Sequence, residues 1–154
     1  MVVQNLDCIP IVYVYLGNNL PNYAKKNLVA SCKRFPNRKI VLISDKEKNL
    51  NFAKKIGIEF FRIKKTVFNE EFKNVMHHPY QFRNGFWYHT ISRFYAIYKY
   101  LEKKQISTCL HVELDVVIFP NFPFSNFALL GNCLAYTKVS ENESSGAIFY
   151  VGSS

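Results

Sequence analysis

Between residues 9 and 63 three apolar stretches alternate with two amphipathic ones, and this order constrains the fold more than anything else in the chain. Residues 9–16 are aliphatic or aromatic apart from Pro10. A continuous apolar run of that length reads as a strand buried on both faces. It stops at Gly17, Asn18 and Asn19, and Pro21 stands where a helix begins. Residues 21–34 carry Ala24, Leu28 and Cys32 at four-residue spacing, which predicts a helix with a lysine-rich outer side, broken by Pro36 and Asn37. Residues 39–45 predict a second strand that ends on an acid, Asp45. A short basic helix over 46–56, closed by Gly57, and a third strand over 58–63 follow. Strand, helix, strand, helix, strand at this spacing is a βαβαβ unit, hence an α/β fold with a mostly parallel sheet flanked by helices.

The second half repeats the alternation less regularly. Residues 64–88 lack periodicity apart from a helical turn around 70–75, and Pro79 and Gly85 break them; a connection this long in a compact domain is more often functional than idle. Residues 89–104 predict the strongest helix, with Ile91, Phe94, Ile97, Tyr98 and Leu101 on one face. Residues 108–113 predict a fourth strand, 120–127 a Pro/Asn loop, and 133–136 and 147–151 two more strands. The chain stops three residues later, and we expect a single domain over 1–154 that is a fragment or minimal version of a longer one. Ligands of open parallel sheets bind beyond the carboxyl ends of the strands.

Two acids meet that edge together. Glu113 and Asp115 interrupt an apolar run from Leu110 to Phe119, and in extended chain residues i and i+2 point the same way. Ionised carboxylates are costly to bury unpaired, so the pair calls for a cation, a basic partner or solvent. Hard oxygen ligands suit Mg²⁺ or Mn²⁺, which take one or two protein carboxylates and leave room for phosphate oxygens. The alternative is a polar strand end paired with Lys or Arg. Arg93, on the flank of the 89–104 helix, is either that partner or a clamp on a phosphate or sugar hydroxyl. Tyr15 is a core aromatic or a surface for a nucleotide base. Asp45 is an acceptor for a base or ribose proton, or the N-cap of the next helix. Trp87 and Tyr88 fill the core or stack on a sugar ring. His77 and His78 are adjacent and point apart in extended chain, so they are discounted as a metal site.

A formal charge of +9 points to acidic partners such as nucleotide phosphates or an anionic membrane surface. It does not by itself argue for specific nucleic-acid binding, which is not expected. Cys8, Cys32, Cys109 and Cys133 lack CxxC spacing, and the last three read as buried reduced thiols. With no charged-then-apolar leader and no run long enough to span a bilayer, the expectation is a cytoplasmic protein with peripheral membrane contact. No Gly-x-Ser-x-Gly, Walker or Gly-x-Gly-x-x-Gly pattern occurs, against hydrolase, NTPase and dinucleotide oxidoreductase readings.

In order and spacing these features resemble the GT-A glycosyltransferases that use nucleotide-sugar donors, over most of the chain. Residues 9–17 look like their opening strand, residues 86–94 like their arginine-bearing helix, residues 111–119 like the DxD strand, and residues 144–149 like the strand that lines the donor site. The resemblance implies transfer of a sugar from a nucleotide-diphosphate sugar, by preference a UDP-sugar, to a glycan, lipid or protein acceptor. It implies Mn²⁺ or Mg²⁺ on Asp115, with Glu113 as a second ligand or a partner of a ribose hydroxyl. Arg93 and Trp87 would lie against the sugar or diphosphate, and Tyr15 and Asp45 would hold the base. The chain departs from the pattern in having Glu rather than Asp as the first acid and Thr90 where a carboxylate usually precedes the arginine. The region that supplies the acceptor site and often the catalytic base is also not represented, so no catalytic residue is singled out. A catalytically inactive donor-binding or scaffold domain, or a basic protein of nucleic acid or membrane surfaces, are the other readings.

Overall fold

The computed structural model describes residues 9–64 and 86–152. Strands β1 (Ile11–Tyr15), β2 (Ile40–Ser44), β3 (Glu59–Arg62) and β4 (Thr108–Val112) alternate with helices α1 (Asn22–Arg34), α2 (Lys48–Lys55) and α3 (Phe86–Lys104). A five-residue helix α4 (Phe124–Ala128) and a hairpin of β5 (Leu134–Lys138) and β6 (Ser144–Gly152) complete the described chain. One sheet holds all six strands in the order β3-β2-β1-β4-β6-β5. The first four pair in parallel, and β6 runs antiparallel to both β4 and β5.

The apolar runs form central strands because both sheet faces are covered. Ile11 and Tyr13 pack with Ala24 and Leu28 of α1 and Ala53 of α2 in one core layer. Val12 and Val14 pack with Ala96, Ile97 and Tyr100 of α3 in the other. Alternate residues of one strand thus serve opposite layers, which requires apolar side chains at every position. Gly57 closes α2 with a positive φ of 73°, and the Ile58 amide bonds back to the Ala53 carbonyl; a side chain there would be strained.

Several sequence expectations change in detail. The long helix starts at Phe86, so Trp87 and Tyr88 lie in its first turn rather than before it. Its buried residues are Ser92, Ala96, Ile97 and Tyr100, whereas Phe94 and Tyr98 are exposed. Small residues at 92 and 96 let the helix axis approach β1 and β2, and the bulkier side chains are displaced to the flanks. The Pro/Asn loop contains α4. Cys109 is buried, but Cys32 and Cys133 are only partly so, and all three are free thiols. The helical turn expected around 70–75, His77, His78 and Cys8 lie outside the described residues. Among the described residues no helix is long and apolar enough to cross a membrane.

The hairpin overhangs the sheet. Val112 at the end of β4 pairs with Ile148, and β6 has four more residues beyond that level, about 13 Å of strand.

Candidate functional site

The chain leaves β1 toward β2 and β3 on one side and returns to fill β4 on the other. Where strand order reverses in this way, the carboxyl ends diverge and leave a crevice. Two adjoining cavities occupy it. One, of about 640 Å³, has Tyr15, Tyr23, Arg93, Glu113 and Asp115 in its wall. The other, about 200 Å³, has Asn18, Asp45, Lys46, Tyr88 and Ser92 in its wall. Leu16 and His89 line both.

Glu113 and Asp115 reach the larger cavity by a different route from the one the sequence suggests. Strand β4 ends at Val112, and the Glu113 amide makes one last sheet bond to the Ala147 carbonyl, 2.8 Å. A turn then carries Leu114 and Asp115, closed by the Val116 amide on the Glu113 carbonyl, 3.0 Å. The turn is held from below by Asn27 of α1, whose Nδ2 donates to the carbonyls of Leu114 (3.1 Å) and Val116 (2.7 Å). Leu114 is buried in the core, and Asp115 is thrown outward beside it. The carboxylates share a cavity because of a turn, not because of strand alternation.

Their environments differ. The Arg93 guanidinium donates through Nη1 to Glu113 Oε1, and the two side chains are 23% and 24% exposed. Asp115 is exposed and makes no ion pair or side-chain hydrogen bond with a described residue. The alternative of an acid paired with Arg93 therefore holds for Glu113 and not for Asp115. Among the described residues no group of three His, Cys, Asp or Glu side chains is arranged to hold a metal. The donor set is two carboxylates, one of them engaged by a cation. That matches a hard cation bound through few protein oxygens and completed by water or phosphate.

Tyr15 is half-buried at the end of β1, and its hydroxyl donates to the Asn19 carbonyl at 2.7 Å. Its ring folds back over Gly17, where an added Cβ would stand 3.0 Å from Tyr15 Cζ. Burial, with smaller contributions from Tyr23 and Asp45, holds the phenol above its ordinary pKa.

Asp45 is not the N-cap of α2. Glu47 occupies that position without a side-chain cap bond, and Ser44 Oγ instead accepts from the Lys46 amide (3.3 Å) and Asn49 Nδ2 (2.9 Å). The Asp45 side chain is 3% exposed, with Oδ2 3.2 Å from Lys46 Nζ. Its Oδ1 is buried without a hydrogen-bond partner among the described residues. A buried acceptor without a donor is costly.

Sequence reasoning missed His89, Tyr23 and Lys46. The signal for His89 was present: it stands one turn before Arg93 in the first turn of α3. Helices α1 and α3 both begin at this edge of the sheet and carry no acid in their first turn, so their amide ends add positive potential beside Lys46 and Arg93. The side chain of Trp87 lies outside the described residues. No model of a known protein family matches the chain, and comparison with curated proteins finds no match either.

Proposed function

We propose that the chain binds a nucleoside-diphosphate sugar in this crevice and belongs to a metal-assisted glycosyl transfer reaction. The observation that carries the reading is the convergence of Glu113, Asp115, Arg93 and Tyr15 on one cavity at the carboxyl edge of a parallel sheet. The proposal takes from the GT-A resemblance its donor class and the preference for uridine. Tyr15 offers a ring for the base, and Asp45, in the wall of the smaller cavity, would accept a hydrogen bond from the base or ribose. Arg93, Lys46 and the first turns of α1 and α3 neutralise the diphosphate. Asp115 would hold Mn²⁺ or Mg²⁺, with Glu113 joining once Arg93 turns to a phosphate. When bound, the ion supplies Lewis-acid stabilisation of charge on the departing diphosphate.

Titration of UDP into the protein by calorimetry tests this. We expect binding that needs Mn²⁺ or Mg²⁺, is abolished by EDTA and falls about ten-fold or more in Asp115→Ala. UDP binding that is indifferent to metal and to Asp115→Ala overturns the reading. Binding with no hydrolysis of the sugar donor in the presence of Mn²⁺ would assign a donor-binding role rather than an enzyme.

A further inference from the structure

The segment after Asp115 combines buried anchors with large apolar side chains that stand exposed. Ile118 and Phe124 are buried in the α1-side layer, with Phe122 and Phe127 packed against it. Phe122 stacks on Phe127 at 5.5 Å, Phe124 meets Phe35 edge-on at 5.4 Å, and Arg38 lies 3.6 Å over the Phe124 ring. Around these anchors Phe119 is 64% and Leu129 85% exposed, and Val117 and Leu130 are exposed too. Each exposed group sits on a turn fixed to an anchor: the Phe122 amide donates to the Phe119 carbonyl, the Leu130 amide to the Phe127 carbonyl, and the Phe122–Phe127 stack joins the two turns.

Charge is distributed with equal bias. From Val116 to Ser140 the sequence has no acid and one cation, Lys138. The neighbouring α1 carries Lys25, Lys26, Lys33 and Arg34 and no acid. Asn27 bonds to the start of the segment, and Lys25 leans the other way, over Phe52 of α2 at 6.0 Å. Helical periodicity therefore turns Lys26 and Arg34 toward the segment, with Lys33 next to them on the outer side. An uncharged rim of exposed Phe and Leu beside a row of cations fits a surface that is apolar below and anionic above.

We propose that this face docks onto an anionic lipid bilayer, with Phe119, Leu129 and Leu130 entering the interface and Lys26 and Lys33 meeting lipid phosphates. The proposal goes beyond the glycosyl-transfer reading and does not depend on it. It differs from the general attraction that a charge of +9 gives, because it assigns the apolar contribution to named side chains.

Co-sedimentation with phosphatidylcholine–phosphatidylglycerol vesicles, without UDP or metal, tests it. We expect the protein to bind these vesicles and to bind pure phosphatidylcholine far less. Phe119→Ser with Leu129→Ser should weaken binding roughly ten-fold or more, with the unfolding midpoint kept because neither side chain is buried. Lys26→Glu with Lys33→Glu, on the outer side of α1, should weaken it roughly five-fold per charge lost and provides an independent variant if the first is misfolded. Binding unchanged by the apolar pair overturns the proposal in favour of diffuse charge. Absence of vesicle binding overturns it as well, as does a dimer in solution that the same substitutions dissociate and that does not sediment with vesicles.

Discussion

Burial keeps the His111 imidazole neutral between the sheet and α3. Its pKa is pushed down to about 3 from 6.5, chiefly by desolvation, with the nearby Arg93 charge acting in the same direction. Nδ1 donates to the Val12 carbonyl at 2.9 Å, and the ring packs on Phe149. The unfolded chain takes up a proton below pH 6.5 that the folded chain refuses until about pH 3. Stability from this group is therefore complete above the unfolded value and is lost as pH falls. We expect unfolding free energy to drop by about 2 kcal/mol between about pH 7 and pH 5, a window above the titration of most carboxylates. Urea denaturation across that range should show the slope, and His111→Phe should flatten it. At the same scale, the sequence told where the charged residues of the site stand along the chain but not how they pair. Arg93 is twenty residues from Glu113, and only the docking of α3 on the sheet decides that it meets Glu113 rather than Asp115. Asp45 looked like a helix cap because Ser-Asp after a strand usually is one; here Asn49 occupies the serine and leaves the acid to the cavity.

Helix α1 does two jobs with one stripe. Ala24, Leu28 and Ser31 pack inward, and Asn27 on the same stripe reaches the carbonyls on either side of Asp115. Replacing Asn27 with Ala strands two acceptors in a mostly buried place, at a cost of about 1–2 kcal/mol. For a domain of this size we expect a thermal midpoint lower by roughly 2–8 °C, measured by differential scanning calorimetry. Under the proposed donor-binding reading, affinity for UDP with metal falls as well, since the turn that presents Asp115 loosens. The first five strands and the first two helices were legible to within a residue or two, because apolar runs and Gly or Pro breaks are local signals, whereas β6 starts three residues before the expected 147. The buried face of α3 was not. Hydrophobic size favoured Phe94 and Tyr98, whereas close approach to β1 and β2 selects Ser92 and Ala96, and closeness is a tertiary fact absent from a periodicity.

Across the whole molecule, the parallel half of the sheet builds the crevice, and the antiparallel half borders it. The βαβαβ order foretold the first part. The antiparallel course of β6 had no counterpart in the sequence reading, because the direction of a short strand is set by which edge it finds rather than by its residues. Beyond Ile148 the overhanging β6 and its partner β5 stand past the end of β4, joined by the exposed turn over residues 139–143. That turn touches neither core layer. A short Gly-Ser insertion between Glu141 and Asn142 should shift the thermal midpoint by no more than about 1–2 °C, read by the same calorimetry. The overhang thus separates two kinds of change in this architecture. Substitutions at the crevice floor change the cavities themselves, whereas growth or shrinkage of the hairpin tip leaves every residue that lines them in place. A lineage, or an engineer, could therefore lengthen, shorten or rewrite that loop while both core layers and the crevice stay as they are.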